Sequence, residues 1–129
     1  IASSIQFISA EHGFEKWANF PVARKRMIEL LSRTQPKGVI FLSGDRHIAE
    51  FSAMPVPGLK QPVYDFTSSG LTHTWSSAME EPNRYRVGKL IMERNFGVLE
   101  FQKAGRKVNA ALLIYGPERK ELSRLNLKF

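Results

Sequence analysis

The chain contains no cysteine and no long run of apolar residues. The lack of cysteine excludes disulfide bonds, thiolate nucleophiles and cysteine-ligated zinc sites within these residues. No apolar run, that at residues 39–42 included, approaches the roughly 20 residues that a membrane-spanning helix needs, so no membrane span is predicted. No basic and then apolar leader opens the chain. Because Ile1 already lies in a predicted strand, we expect the natural N-terminus to lie further upstream.

The composition fits a single folded domain over residues 1–129. Hydrophobic residues make up 43% of the chain, and nine Phe, three Tyr and two Trp are enough large side chains for a core. The net charge of +7 suits anionic partners such as phosphate esters or nucleic acid. The basic residues are scattered apart from the run at residues 24–26, which favours a phosphate-handling enzyme over a nucleic-acid-binding arm.

The residue pattern predicts an α/β fold, with a βαβ unit at the front and antiparallel strands at the back. Pro21 is predicted to open a helix, because the N–H that proline lacks would have no helical partner at that position. The apolar face of this helix is predicted at Ala23, Met27, Leu30 and Leu31. Strands are predicted at residues 3–8, 39–42, 63–67, 96–101, 108–114 and 125–129, with an irregular excursion over 71–95.

The motif Ser43-Gly44-Asp45-Arg46-His47 follows the buried strand at residues 39–42 and is the most informative segment. Ligands of βαβ units gather at the carboxyl ends of strands, so these side chains are candidates for a site. On an extended chain Asp45 and His47 would project to one side, roughly 6.5 Å apart. Each could therefore bind one ion of a metal pair about 3.5–4 Å apart. Arg46 could clamp a phosphate through its planar guanidinium. Alternatively, Asp45 only caps a turn.

Six separated motifs, in order along nearly the whole chain, resemble the alkaline phosphatase D (PhoD-like) family of metallophosphoesterases. They are Ser3-Ser-Ile-Gln-Phe, His12-Gly-Phe-Glu-Lys-Trp-Ala-Asn-Phe-Pro21, Ser43-Gly-Asp-Arg-His47, Tyr64-Asp-Phe-Thr-Ser-Ser-Gly-Leu71, Asn83-Arg-Tyr-Arg-Val-Gly88 and Asn95-Phe-Gly97. The resemblance weakens around His73 and Trp75. It implies the carboxyl-terminal half of a catalytic domain, which is half of a metallophosphoesterase-type α/β/β/α sandwich.

The resemblance also implies a chemistry. It makes Asp45 and His47 metal ligands in a centre of two or more ions, Fe³⁺ and Ca²⁺ in that family, which hydrolyses phosphate mono- or diesters. The early ligands of the family would lie in the missing N-terminal half of the domain, so this chain alone is expected to be inactive. Related enzymes are often exported, which suggests a periplasmic or secreted location.

Other residues are weaker candidates for a site. His12 is a candidate catalytic residue alongside Arg46, because the resemblance places its loop near the metal centre; Glu15 shares that loop. The hydroxyls and backbone N–H groups of residues 68–70 could hold an anion or could serve only a strand-end turn. A structural role is favoured for Asn95 and a solvated helix face for residues 24–26.

Three hypotheses for the function follow. The first is a metal-dependent phosphoric ester hydrolase, present here as a fragment, with a phosphate ester substrate and no nucleic-acid partner. The second is a small basic module that binds nucleic acid or another polyanion. The third is a metal-free, non-catalytic relative of the enzymes. The motif at residues 43–47 has no purpose in the second hypothesis, which is why the first is favoured.

Overall fold

Two β-sheets and one α-helix make up the computed structural model, which describes residues 1–75 and 81–129. The helix α1 spans Pro21–Thr34. The strands are β1 (Val39–Ser43), β2 (Ala49–Met54), β3 (Val63–Ser68), β4 (Arg86–Ile91), β5 (Phe96–Ala104), β6 (Lys107–Tyr115) and β7 (Glu121–Lys128). Single 3₁₀ turns occur at Trp17–Asn19 and Pro117–Arg119. The predicted α/β fold with antiparallel strands is confirmed.

The first sheet has the strand order β1-β3-β2-β4, and the second has the order β5-β6-β7. Strands β1 and β3 are parallel, with β2 and no helix between them along the chain, whereas the other strand pairs are antiparallel. In the parallel pair Val39 lies opposite Val63 and Ser43 lies opposite Thr67. The carboxyl ends of β1 and β3 therefore meet at one edge of the first sheet, where the motif at residues 43–47 begins.

Alternation along the strands divides the buried apolar side chains into two cores. Phe41 of β1 and Val63 of β3 belong to the core that also contains Leu31 of α1. Phe66 lies on the opposite face of β3 from Val63 and belongs to the core shared with Leu112 of the second sheet. Successive strand residues point to opposite faces, so the four-stranded sheet lies between the helix and the three-stranded sheet. The order of layers is helix, sheet, sheet.

The strand predicted at residues 3–8 does not form, apart from one bridge between Ala2 and Leu42. Side chains take the place of a β-ladder here. Asp65 Oδ2 accepts the backbone N–H groups of Phe7 and Ile8 at 2.7 and 3.0 Å. The Arg24 guanidinium donates to the carbonyls of the same two residues at 3.1 and 3.2 Å. Because this backbone is satisfied by two charged groups that are distant in sequence, it needs no neighbouring strand.

The helix begins at Pro21 as predicted, but its buried face is rotated from the prediction. Ala23 and Leu30 are exposed, whereas Ile28 and Arg24 turn toward the core. Only Lys25 and Arg26 of the basic run are exposed, and Lys25 lies 3.8 Å from Glu29 on the same face. The run at residues 24–26 is therefore not a continuous cationic patch.

Strands β2 and β4 were not predicted. Five of the six residues of β2 are buried, among them Glu50 and Ser52, so the strand lacks the alternation of apolar and polar residues that marks a half-buried strand. Strand β4 lies inside the predicted excursion at 71–95, whose residues 76–80 fall outside the described residues. The residues of β4 have no clear strand pattern, and the strand is stabilised by its pairing with β2.

Candidate functional site

The site begins where β1 ends, at a tight turn. Strand β1 ends at Ser43, and the backbone N–H of Arg46 donates to the Gly44 carbonyl at 2.9 Å. Asp45 and His47 have φ angles of 69° and 53°, which non-glycine residues rarely adopt. The extended geometry from which a separation of 6.5 Å was predicted is therefore wrong for this segment. Strained backbone of this kind is concentrated at functional sites.

The turn sorts its side chains by exposure. Asp45 and His47 are exposed, as metal ligands open to a further partner would be, and neither is packed in an apolar core. Arg46, between them, is only 3% exposed. The two predicted ligands and the predicted phosphate clamp thus differ in environment although they are adjacent in sequence.

Arg46 is held by an aromatic pair and one carboxylate. Its guanidinium carbon lies 4.0 Å from the centroid of the Phe14 ring and 5.7 Å from that of Trp75, close enough for cation–π attraction. The two rings contact each other edge to face at 4.7 Å. The Nη2 group forms an ion pair with Glu81, while the buried Nε has no hydrogen-bond partner among residues 1–75 and 81–129. One arm of the predicted clamp is therefore already occupied by a carboxylate.

His12 lies beside this group, buried in the loop that precedes α1. It is 5% exposed, and its Nδ1 accepts the backbone N–H of Phe14 at 3.2 Å. Burial, followed by the charge of Arg46, lowers the pKa of His12 from 6.5 to about 4, and Glu81 and Asp45 oppose that change. The imidazole is therefore neutral at pH 7. Its Nε2 is buried with no partner in the described parts of the chain.

Two exposed imidazoles meet next to the turn. The rings of His47 and His73 are perpendicular, with centroids 4.9 Å apart, and the backbone N–H of Trp75 donates to the His47 carbonyl at 3.2 Å. Carboxylate and imidazole groups are donors that Zn²⁺, iron and manganese accept in proteins. Nevertheless, no three His, Asp or Glu side chains within the described ranges are placed to hold one ion. These residues fit part of a metal centre and not a whole one.

A layer of buried polar side chains, which includes Ser43, Asp65 and Thr67, supports the turn. Asp65, 2% exposed, accepts Ser43 Oγ at 2.7 Å in addition to the two backbone N–H groups described above. Ser43 Oγ also lies 2.8 Å from Thr67 Oγ1, which accepts Gln6 Nε2 at 2.9 Å. Burial raises the pKa of the Asp65 carboxyl, and its three hydrogen bonds oppose that rise. The last residue of β1 is thus fixed by side chains from β3.

Glu50 extends this layer toward β4. Its carboxylate accepts Gln6 Nε2 at 2.8 Å, Asn83 Nδ2 at 3.0 Å and Arg86 Nε at 2.6 Å. Glu50 and Glu81 were both missed by the sequence analysis. A glutamate inside a short apolar strand was the available signal for Glu50, because a buried charge needs a partner. Nothing in the local sequence marked Glu81, which lies in the irregular segment.

The weaker candidates have structural partners. Ser68 Oγ donates to Asn95 Oδ1 at 2.9 Å, and Ser69 donates through both its N–H and its Oγ to the Ile48 carbonyl. Asn95 is buried and donates through Nδ2 to the Glu93 carbonyl at 2.8 Å, which confirms its predicted structural role. Glu15 is exposed. The hydroxyls predicted as a possible anion site are therefore engaged within the protein.

The motifs at residues 12–21 and 43–47 converge, because the buried Arg46 lies against Phe14 and its charge acts on the buried His12. Asp45 and His47 are exposed. Within the described ranges no helix is long and apolar enough to cross a membrane. No protein-family model, curated protein or solved structure matches this chain. The resemblance to PhoD-like enzymes therefore rests on the sequence motifs alone.

Proposed function

We propose that this chain is part of a metal-dependent phosphoric ester hydrolase of the PhoD-like type. The observation that carries the proposal is that His12 lies close enough to Asp45 and Arg46 for their charges to act on its pKa, although it is more than 30 residues from both in sequence. Both motifs that supply these residues are motifs of the resemblance. The observed order of layers, helix then sheet then sheet, supports half of an α/β/β/α sandwich.

The local charge also favours a phosphate ester as the substrate. The buried guanidinium of Arg46 is oriented by Phe14 and Glu81 before any ligand arrives, and Lys16 is buried in the adjacent loop. A cation fixed in a site with little water stabilises developing negative charge without reorganising. In this proposal Arg46 neutralises charge on the transferring phosphoryl group.

Asp45 and His47 would hold the metal ions. Bound metal ions polarise a phosphoryl oxygen and make a hydroxide nucleophile available near neutral pH. Because the residues 1–75 and 81–129 provide only part of a centre, we propose that the other ligands come from outside them. An apolar groove of about 420 Å³ beside β1, lined by Ile1, Leu42 and Phe101 among others, supports a missing neighbour, since all three side chains are at least 39% exposed.

A phosphatase assay on the full-length gene product tests this proposal. We expect hydrolysis of an activated aryl phosphate in the presence of Mn²⁺, Fe³⁺ or Ca²⁺ and loss of activity on chelation. His47→Ala should reduce turnover by about 100-fold or more, because a metal ligand is lost. Lys25→Ala removes an exposed charge on α1 and should leave turnover unchanged.

Two outcomes would contradict the proposal. One is wild-type turnover in His47→Ala with unchanged metal content. The other is robust hydrolysis by residues 1–129 alone, which would show that no ligands from outside are needed. Arg46→Lys adds a finer comparison, since it keeps the charge and loses the planar fork, and it should lower turnover measurably.

A further inference from the structure

Two buried nitrogen atoms at the site lack hydrogen-bond partners. They are His12 Nε2 and Arg46 Nε. Within residues 1–75 and 81–129, every other buried side-chain nitrogen or oxygen has a hydrogen-bond partner. The side chains of His12 and Arg46 are 5% and 3% exposed. A buried polar group without a partner is destabilising, and native proteins rarely tolerate one without a function. Two of them on neighbouring side chains call for a common explanation.

The hydrogen bond at the other ring nitrogen fixes the tautomer of His12. The backbone N–H of Phe14 can only donate, so the Nδ1 atom that accepts it carries no proton. In the neutral ring the proton is then on Nε2. His12 Nε2 is therefore an N–H donor, as Arg46 Nε is in every protonation state. Both unpartnered nitrogens are therefore donors without an acceptor. Because each carries a proton, neither can bind a metal ion.

The side chains that carry the two donors both lie near the Phe14 ring. The His12 and Phe14 ring centroids are 6.2 Å apart, and the Arg46 guanidinium carbon lies 4.0 Å from the same Phe14 ring. The charge of Arg46 also acts directly on the His12 imidazole. Glu81 holds Nη2 of Arg46, whereas the buried Nε has no partner in the described part of the chain.

We propose that His12 Nε2–H and Arg46 Nε–H together bind one oxyanion, with His12 acting as a neutral donor. The identification of that oxyanion as the phosphoryl group of the substrate rests on the proposed function. The binding itself does not. His12 would thus contact a non-bridging oxygen, and the metal ions would be held by Asp45 and His47 without it.

Nuclear magnetic resonance of the 129-residue chain, with inorganic phosphate as the probe, tests this site. Long-range ¹H–¹⁵N correlation should show the Nε2–H tautomer of His12 at neutral pH. Titration with phosphate, at an ionic strength kept constant with chloride, should shift the His12 Nε2 and Arg46 Nε signals together and to saturation. An Nδ1–H tautomer, or no shift at either nitrogen up to tens of millimolar phosphate, would overturn the proposal.

A matched pair of variants separates the two ring nitrogens. His12→Asn keeps an acceptor for the Phe14 N–H and loses the distal donor, so phosphate affinity should fall roughly 10-fold to 100-fold. His12→Gln places an N–H donor near the Nε2 position and should keep most of the affinity. Equal affinity in the wild type and His12→Asn would refute the role of Nε2–H. Lys25→Ala controls for net charge and should change nothing.

The result remains informative if a variant fails to fold or the enzyme proposal fails. If His12→Asn does not fold, the wild-type tautomer and the phosphate shift of Arg46 Nε decide the question. If phosphate binds to both donors but the full-length protein hydrolyses no ester, this site stands and the proposed function falls. If hydrolysis occurs without phosphate contact at His12, the opposite conclusion follows.

Discussion

Replacing Asp65 with alanine and with asparagine separates two properties of one buried carboxylate. Its oxygens anchor the backbone of Phe7 and Ile8 and the hydroxyl of Ser43, so the side chain connects the segment before the His12 loop to the end of β1. Asp65→Ala removes all of these acceptors. Asp65→Asn removes only the charge, because an amide has nearly the same shape.

The expected effects differ by several kcal/mol. In Asp65→Ala the N–H groups of Phe7 and Ile8 are left buried without partners, at about 1–3 kcal/mol each, and we expect a total loss of roughly 3–5 kcal/mol. In Asp65→Asn the amide oxygen accepts both N–H groups and the amide nitrogen donates to Ser43 Oγ, whose hydrogen turns to Thr67, 2.8 Å away. The free energy of unfolding should then stay within about 1 kcal/mol of the wild type.

Urea unfolding followed by tryptophan fluorescence measures both variants. Trp17 is a suitable reporter, because its ring packs edge to face on Phe7 with centroids 5.2 Å apart. Equal destabilisation of Asp65→Asn and Asp65→Ala would refute the role of Asp65 as a hydrogen-bond acceptor. A free energy of unfolding of Asp65→Ala within about 1 kcal/mol of the wild type would also refute that role, since unsatisfied buried donors must destabilise the fold.

The same pair has a pH dependence of known sign. Burial raises the pKa of the Asp65 carboxyl above its ordinary 3.8, so between these two pKa values the folded state binds more protons than the unfolded state. The stability that the protonated form contributes is complete below pH 3.8 and is lost as the pH rises through the folded-state pKa. Asp65→Asn should lack this loss, so its stability relative to the wild type should increase with pH over that window.

Two further predictions concern His12 and a glycine contact between the sheets. Burial and then the charge of Arg46 lower the pKa of His12 from 6.5 to about 4. The free energy of unfolding should therefore fall by about 1–2 kcal/mol as the pH falls from 6.5 to 4, after allowance for solvent screening. An unchanged pH profile of stability in His12→Asn would contradict this prediction. A Cβ at Gly97 would lie 2.6 Å from Phe66 Cζ, so Gly97→Ala should destabilise by about 1–3 kcal/mol in thermal unfolding, whereas Gly13→Ala, with nothing within 4 Å of its Cβ, should stay within about 0.5 kcal/mol. Equal melting temperatures of the two glycine variants would refute the predicted contact.

The elements that sequence predicts well are those that local chemistry determines. Pro21 begins α1 and Gln35, in a left-handed conformation, follows its end. Strand β1 and the hairpin around Gly105, whose φ is 63°, were also predicted from local sequence. The strand predicted at residues 3–8 was wrong for the opposite reason. Arg24 and Asp65, which are distant in sequence, form the hydrogen bonds that a neighbouring strand would otherwise form. The predicted burial of β1 on both faces was wrong, because Leu42 is 39% exposed.

Some residues of the candidate site were predictable, but Glu50, Glu81 and the geometry were not. The family resemblance selected His12, and residue chemistry together with the resemblance selected Arg46. The burial of Arg46 between Phe14 and Trp75 was not predictable, because an arginine in a polar loop is normally solvated. Its partner Glu81 is 35 residues away in an irregular segment, so no periodicity in the sequence connects the two.

Locating a paramagnetic ion on the 129-residue chain tests most directly whether Asp45 and His47 are metal ligands. Substoichiometric Mn²⁺ should broaden the amide signals of Asp45 and His47 before others, and a chelator should reverse the effect easily, because a stable site usually has three or more protein ligands. The double variant Asp45→Asn, His47→Gln should lose the broadening. Broadening centred elsewhere, or unchanged in the double variant, would contradict the assignment of Asp45 and His47 as metal ligands.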